Sequence, residues 1–222
     1  MARIVLLRHA HSVANEKNLL AGRTAGISLS KTGKEQAKDL VTRLGNIQFD
    51  EVAISPLQRC RETIDPWIDT TGGKSRIVVD DSISEVDYGN WSGKTLASLR
   101  RKAQWKVVQD FPSQMIFPEG ESLLEMQGRA LSGFYRLNAV KGKGPRLLVS
   151  HGDVIKSIVA HCLGMHLDQF QRLVIEPASL TIIDTDSGTS RLVRFNDAKG
   201  FLSAERSTNQ SALGGSTGNL NK

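Results

Sequence analysis

Arg8 and His9 end the apolar run Ile4-Val5-Leu6-Leu7, so a guanidinium and an imidazole stand side by side where a buried strand stops. Arginine offers a planar fork of donors that matches a phosphate, and a neutral imidazole can attack phosphorus and carry the phosphoryl group covalently. Three further segments end in groups suited to the same anion. Ser55-Pro56-Leu57-Gln58-Arg59 follows the apolar Glu51-Val52-Ala53-Ile54, Glu85 and Asp87 lie among turn formers before Gly89, and Leu147-Leu148-Val149-Ser150 leads into His151-Gly152. In open α/β sheets, ligands sit beyond the carboxyl ends of the strands, which is where these groups fall. Each also has a plainer role. Arg59 opens a charged helical stretch in which arginines are commonly solvated or paired, and acids are ordinary in turns. Gly152 lets the backbone approach a ligand, and Asp153 is expected to cap the helix that follows.

Taken together, the segments resemble the histidine phosphatase superfamily, which includes the cofactor-dependent phosphoglycerate mutases and many broad phosphatases. The resemblance runs from Ile4 to about Gly164. Arg8-His9 matches the family's Arg-His-Gly motif, with Ala10 in place of the glycine and His11 in place of the usual Glu or Gln. Ala10 is tolerated only if its backbone has negative φ. Asn15 and Ala21-Gly22-Arg23-Thr24 match the family's substrate-facing segment, and Gly120-Glu121-Ser122 its Gly-Glu-Ser motif.

The resemblance implies that His9 becomes phosphorylated while Arg8, Arg59 and His151 grip the phosphoryl oxygens and Glu85 supplies the proton. It also implies that Asn15, Ala21, Gly22, Arg23 and Gly152 face the substrate. Phosphoryl transfer asks for these residue types independently, because preorganised cations and donors stabilise charge spread over the equatorial oxygens. Three side-chain cations suffice, so neither a metal nor another cofactor is expected. Asp87 competes with Glu85 as the acid. The other nitrogen of His9 must donate to an acceptor that fixes the tautomer, and the sequence does not identify it.

The expected activity is hydrolysis of a phosphomonoester through phosphohistidine, on a small phosphorylated metabolite. A phosphomutase comes second, because mutases of this family carry arginine directly after the acid where this chain has Val86, although Arg100-Arg101 offers cations from another direction. A non-catalytic phosphoester-binding or partner-binding protein is the alternative from another class. His9-Ala10-His11 also resembles the paired metal ligands of an amidohydrolase. That reading needs more ligands than His151, His161 and His166 supply and a larger barrel than this chain affords. His11 is expected to line the pocket instead.

The elements that position these groups follow from the pattern of apolar residues. Apolar segments alternate with helical patterns at residues 33–44, 57–68 and 153–163, which argues an α/β layered sheet. The family resemblance sharpens this to a three-layer α/β/α sandwich with a mostly parallel central sheet, phosphoglycerate mutase-like. Ser30 or Thr32 is placed to cap the first helix and Gly45 to end it. Residues 94–138 read as interrupted helices, an insertion expected over the site, and residues 179–184 and 191–195 as strands joined by a turn. The 222 residues, 39% hydrophobic, make one catalytic domain over 1–202, followed by a polar, Gly-rich segment at 203–222 that lacks the apolar surface to order itself.

No window resembles a signal peptide or a membrane span, so a cytoplasmic protein with no membrane partner is expected. Cys60 and Cys162 form neither a disulfide framework nor a zinc motif. The net charge of +6 arises from 29 basic and 23 acidic residues that are interspersed. Small anions rather than nucleic acid are the expected partners. Self-association into a homodimer is left open.

Overall fold

The computed structural model describes residues 2–72, 74–186 and 189–202. Its centre is a six-stranded sheet in the order β3-β2-β4-β1-β5-β6. Here β1 is Ala2–Arg8, β2 Glu51–Ile54, β3 Arg76–Val79, β4 Arg146–Ser150, β5 Leu180–Asp186 and β6 Thr189–Asp197. The pairs β3/β2, β2/β4 and β4/β1 are parallel, whereas β1/β5 and β5/β6 are antiparallel. The sheet is therefore mostly parallel, as the family resemblance implies.

Both faces are covered, which explains the unbroken apolar run in β1. Ile4 and Leu6 enter one apolar cluster, Val5 and Leu7 the other, and all four are fully buried. Helix α1 is the short Val13–Glu16, followed by α2 (Lys31–Leu44) and α3 (Gln58–Trp67). The latter two pack Leu40, Leu44, Ile64 and Trp67 against the Val5 face. Then come α4 (Leu96–Leu99), α5 (Ala103–Asp110), α6 (Leu123–Asn138) and α7 (Gly152–Cys162). Met126 and Phe134 of α6 and Ile155 and Ile158 of α7 cover the Ile4 face. Burying each such aliphatic side chain contributes about 1.5–3 kcal/mol, and this fixes the three-layer α/β/α order.

The expected caps are present. Ser30 Oγ accepts from Gly33 N at 3.2 Å, and α2 ends at Gly45 with φ +56°. The short strand β3 was not foreseen; it is an edge strand of four residues pairing with β2 alone. Residues 94–138 divide in two. Leu96 lines the cavity described below, whereas α6 is a member of the layer on the sheet. Ser187 and Gly188 of the expected turn, and the expected disordered tail at 203–222, lie outside the described residues. No helix among the described residues is long and apolar enough to cross a membrane.

Candidate active site

Strand register brings the groups together. In the parallel β1/β4 pair Arg8 lies opposite Ser150, so the next residues, His9 and His151, leave the sheet side by side with ring centroids 5.2 Å apart. In the β2/β4 pair Ile54 lies opposite Val149, which sets Ser55 at the same edge. Ser55 Oγ is 2.7 Å from His151 Nε2. Arg59 follows in the first turn of α3 and is 2% exposed, so the solvated role is excluded. Its Nε donates to His9 Nε2 at 3.3 Å, and its Nη2 donates to the Gly22 carbonyl at 2.9 Å and to His151 Nδ1 at 3.2 Å.

The missing acceptor for His9 is the carbonyl of Ala10, 2.8 Å from His9 Nδ1. With the proton held there, Nε2 carries the lone pair. Burial, then Arg59 and Arg8, hold the His9 pKa well below its usual range, and burial with Arg59 does the same to His151. Both rings are neutral at pH 7. Ala10 is not among the residues with positive φ, so its Cβ brings no backbone strain, and its N–H donates to Thr63 Oγ1 at 2.9 Å.

Arg8 donates one Nη to the Ile175 carbonyl, while its buried Nε has no partner. A Cβ added at Gly152 would stand 3.4 Å from that Nε, so glycine leaves the guanidinium room. An unpartnered buried donor of this kind costs free energy until an acceptor arrives. Arg8, His9, Arg59 and Glu85 share a cavity of about 180 Å³ with Asn15, Ala21, Gly22 and Gly152. His151 lies behind this wall, fully buried, and reaches it through Arg59. Arg23 is not part of the lining. Its Nε donates to the Glu85 carbonyl and its Nη2 to Glu121, at 3.0 and 3.1 Å.

Burial and, next, the charge of Asp153 push the Glu85 carboxyl up to about 7. One oxygen accepts from Val86 N at 2.9 Å and the other lies 3.8 Å from His151 Nδ1. Asp87 has another task, since its Oδ1 accepts from Gly89 N within the turn and it does not line the cavity. Asp153 was expected to cap α7 but stands inside the helix, where Oδ2 accepts from the Tyr88 hydroxyl at 2.8 Å. His11, expected in the pocket, instead places Nδ1 2.8 Å from Ser30 Oγ at the start of α2. No group of three or more potential metal ligands occurs among the described residues.

Sequence reasoning missed Arg129. From α6 its Nη1 donates to the carbonyls of Ser82 and Ser84 at 3.0 and 2.6 Å, and its Nη2 donates to that of Glu85 at 2.9 Å. Its Nε and Nη2 also grip both oxygens of Glu121, whose Oε1 accepts from Asp87 N as well. The Gly-Glu-Ser segment thus ties the Glu85 loop down, and the only sequence signal was the glutamate itself. Cys60 is buried beside the site with its thiol pushed up to about 12, so it is protonated and inert at neutral pH.

The arrangement suits in-line phosphoryl transfer to a neutral imidazole, with arginine donors and a carboxyl raised to about 7 lining the same cavity. The histidine phosphatase superfamily (branch 1) matches residues 4–198 of this chain. Phosphoserine phosphatase 1 of Hydrogenobacter thermophilus is 26% identical over 202 residues, covering 88% of this chain and 92% of its own. A 2,3-bisphosphoglycerate-dependent phosphoglycerate mutase of Parvibaculum lavamentivorans is 30% identical over 196 residues, covering 82% and 90%. A mycobacterial glucosyl-3-phosphoglycerate phosphatase, solved in complex with VO3, superimposes with a TM-score of 0.79 at 26% identity over 89% of this chain and 100% of its own.

Proposed function

This chain belongs to the histidine phosphatase superfamily and is a phosphoryl-transfer enzyme, and we propose that its reaction is hydrolysis of a phosphomonoester through a phosphohistidine at His9. His9 Nε2 attacks phosphorus as the bond to the leaving oxygen breaks, and Glu85 gives that oxygen its proton. Arg8 and Arg59 take the equatorial oxygens, with His151 holding Arg59 from behind. Water then attacks phosphorus as the P–N bond breaks, the Glu85 carboxylate takes its proton, and the bond's electron pair returns to His9 Nε2 as inorganic phosphate leaves. Nothing in the cycle calls for a metal.

The observation that carries the reading is the state of His9. It is neutral, its tautomer is held by the Ala10 carbonyl, and its Nε2 faces an arginine. Hydrolysis is favoured over phosphomutation because the residue after the acid is Val86, fully buried in the core, and because Arg100 and Arg101 are exposed and absent from the cavity lining. We read residues 1–202 as one catalytic domain, with the front of the 94–138 segment over the site through Leu96. Its interspersed charges and cysteine usage support a cytoplasmic enzyme acting on a diffusible metabolite rather than on nucleic acid.

The test is a panel of phosphomonoesters with inorganic phosphate and isomerised product followed together. Stoichiometric release of phosphate is expected. Isomer formed without phosphate would make the chain a mutase.

A further inference from the structure

The two cations of the cavity lie at its phosphoryl end. Arg59 is bound to His9, His151 and the Gly22 carbonyl, and Arg8 turns its unpartnered Nε toward Gly152. Once a phosphoryl group occupies them, no cation remains among the described lining residues for a second anionic group. Two neighbouring cations are committed elsewhere. Arg23 holds the Glu85 carbonyl and Glu121, and Lys156 Nζ lies 3.3 Å from Asp153 Oδ1 and 3.1 Å from Gln171 Oε1.

Beside the neutral polar side chains of Ser12 and Asn15, the rest of the cavity offers a carboxylate and an apolar wall. Asp153 lines it beside Glu85, with Oδ2 accepting from Tyr88. Opposite in chemistry are Leu19, Leu20 and Leu96, all half-buried and all lining the cavity. These leucines are fixed by backbone pairing. Leu20 N donates to the Lys94 carbonyl, Gly93 N to that of Leu20, and Leu96 N to that of Asn18, at 2.9, 2.7 and 2.9 Å. A preformed apolar wall rewards an apolar leaving group, and a carboxylate in the lining disfavours an anionic one even with Lys156 against its Oδ1.

We infer that this cavity selects phosphomonoesters whose leaving group is uncharged and apolar, and that Asp153 excludes substrates bearing a carboxylate or a second phosphate. The inference rests on the hydrolase reading and narrows its substrate class. It also gives a physical reason against mutase chemistry on bisphosphorylated acids, which needs a second anion site.

The experiment measures kcat/KM of the full chain on pentyl phosphate, on its counterpart ending in a carboxylate, and on p-nitrophenyl phosphate. Pentyl phosphate is expected to exceed the carboxylate by at least about tenfold. Lengthening the neutral chain should add up to about fourfold per methylene until the wall is covered. Asp153→Asn should narrow the gap, and Leu96→Lys, which places a cation in the half-exposed wall, should narrow it independently. Equal kcat/KM for the neutral and carboxylate substrates, or a ratio unmoved by both variants, would overturn the inference while leaving the hydrolase reading intact. Failure to turn over any of the three, p-nitrophenyl phosphate included, would overturn the hydrolase reading and this inference with it.

Discussion

Glu85 carries the most exacting demand at the residue scale, because a general acid must still hold its proton at working pH. Burial and Asp153 place its carboxyl at about 7. The protonated fraction falls as pH rises through that value, so kcat/KM for alkyl phosphates should decline on the alkaline side. An activated aryl phosphate, whose leaving group needs little proton, should lack that limb. Glu85→Gln should cost roughly 10²-fold or more on the alkyl substrate and far less on the aryl one. An equal loss on both would reduce Glu85 to a positioning group. Arg129 acts through Glu85, since it holds the carbonyls of Ser82, Ser84 and Glu85. Arg129→Met should therefore reproduce the alkyl-selective loss in weaker form, about tenfold, and move the alkaline limb. A loss equal for both substrates with the limb unmoved would make it merely structural. His9, Arg59, Glu85 and His151 were legible because each follows a recognisable strand end or turn. The Ala10 carbonyl was not, being backbone, and neither was the reach of Arg129 from a distant helix.

Register is the agent at the element scale. Because Arg8 pairs with Ser150 and Ile54 with Val149, three strand ends release His9, Ser55 and His151 at one edge. The strands themselves were legible from apolar runs bounded by polar residues. β3 escaped because four residues with exposed ends carry little pattern, and α6 was misread as cover because its amphipathic face is decided by tertiary packing. The start of α2 supplies a prediction against intrinsic propensity. Ala exceeds Gly in a helix by about 1 kcal/mol. At Gly33, however, an added Cβ would lie 1.9 Å from the His11 carbonyl oxygen. Gly33→Ala should destabilise the protein by about 1–3 kcal/mol in thermal or urea unfolding. A gain in stability would mean that α2 does not rest on the strand end in this way.

The whole molecule joins a two-faced core to a cavity where Arg8 and Arg59 stand together. A phosphoryl mimic should therefore bind the folded state selectively. Vanadate at 100 times its dissociation constant contributes about 2.7 kcal/mol, which for a chain of this size raises Tm by roughly 5–10 °C. An unchanged Tm at concentrations that inhibit turnover would place inhibition elsewhere. The layered α/β sheet was readable from the alternation of elements, while the chemistry of the leucine and Asp153 wall emerged only when loops 18–24 and 93–96 closed on each other. The central claim is that turnover passes through a phosphate bonded to His9. Rapid acid-free denaturation of the enzyme during turnover of a labelled phosphomonoester, followed by mass analysis, tests it most directly. The account predicts an acid-labile, alkali-stable phosphoryl group on the peptide containing His9, absent in an inactive His9→Ala variant. Full turnover by that variant, or label on another residue, would contradict it.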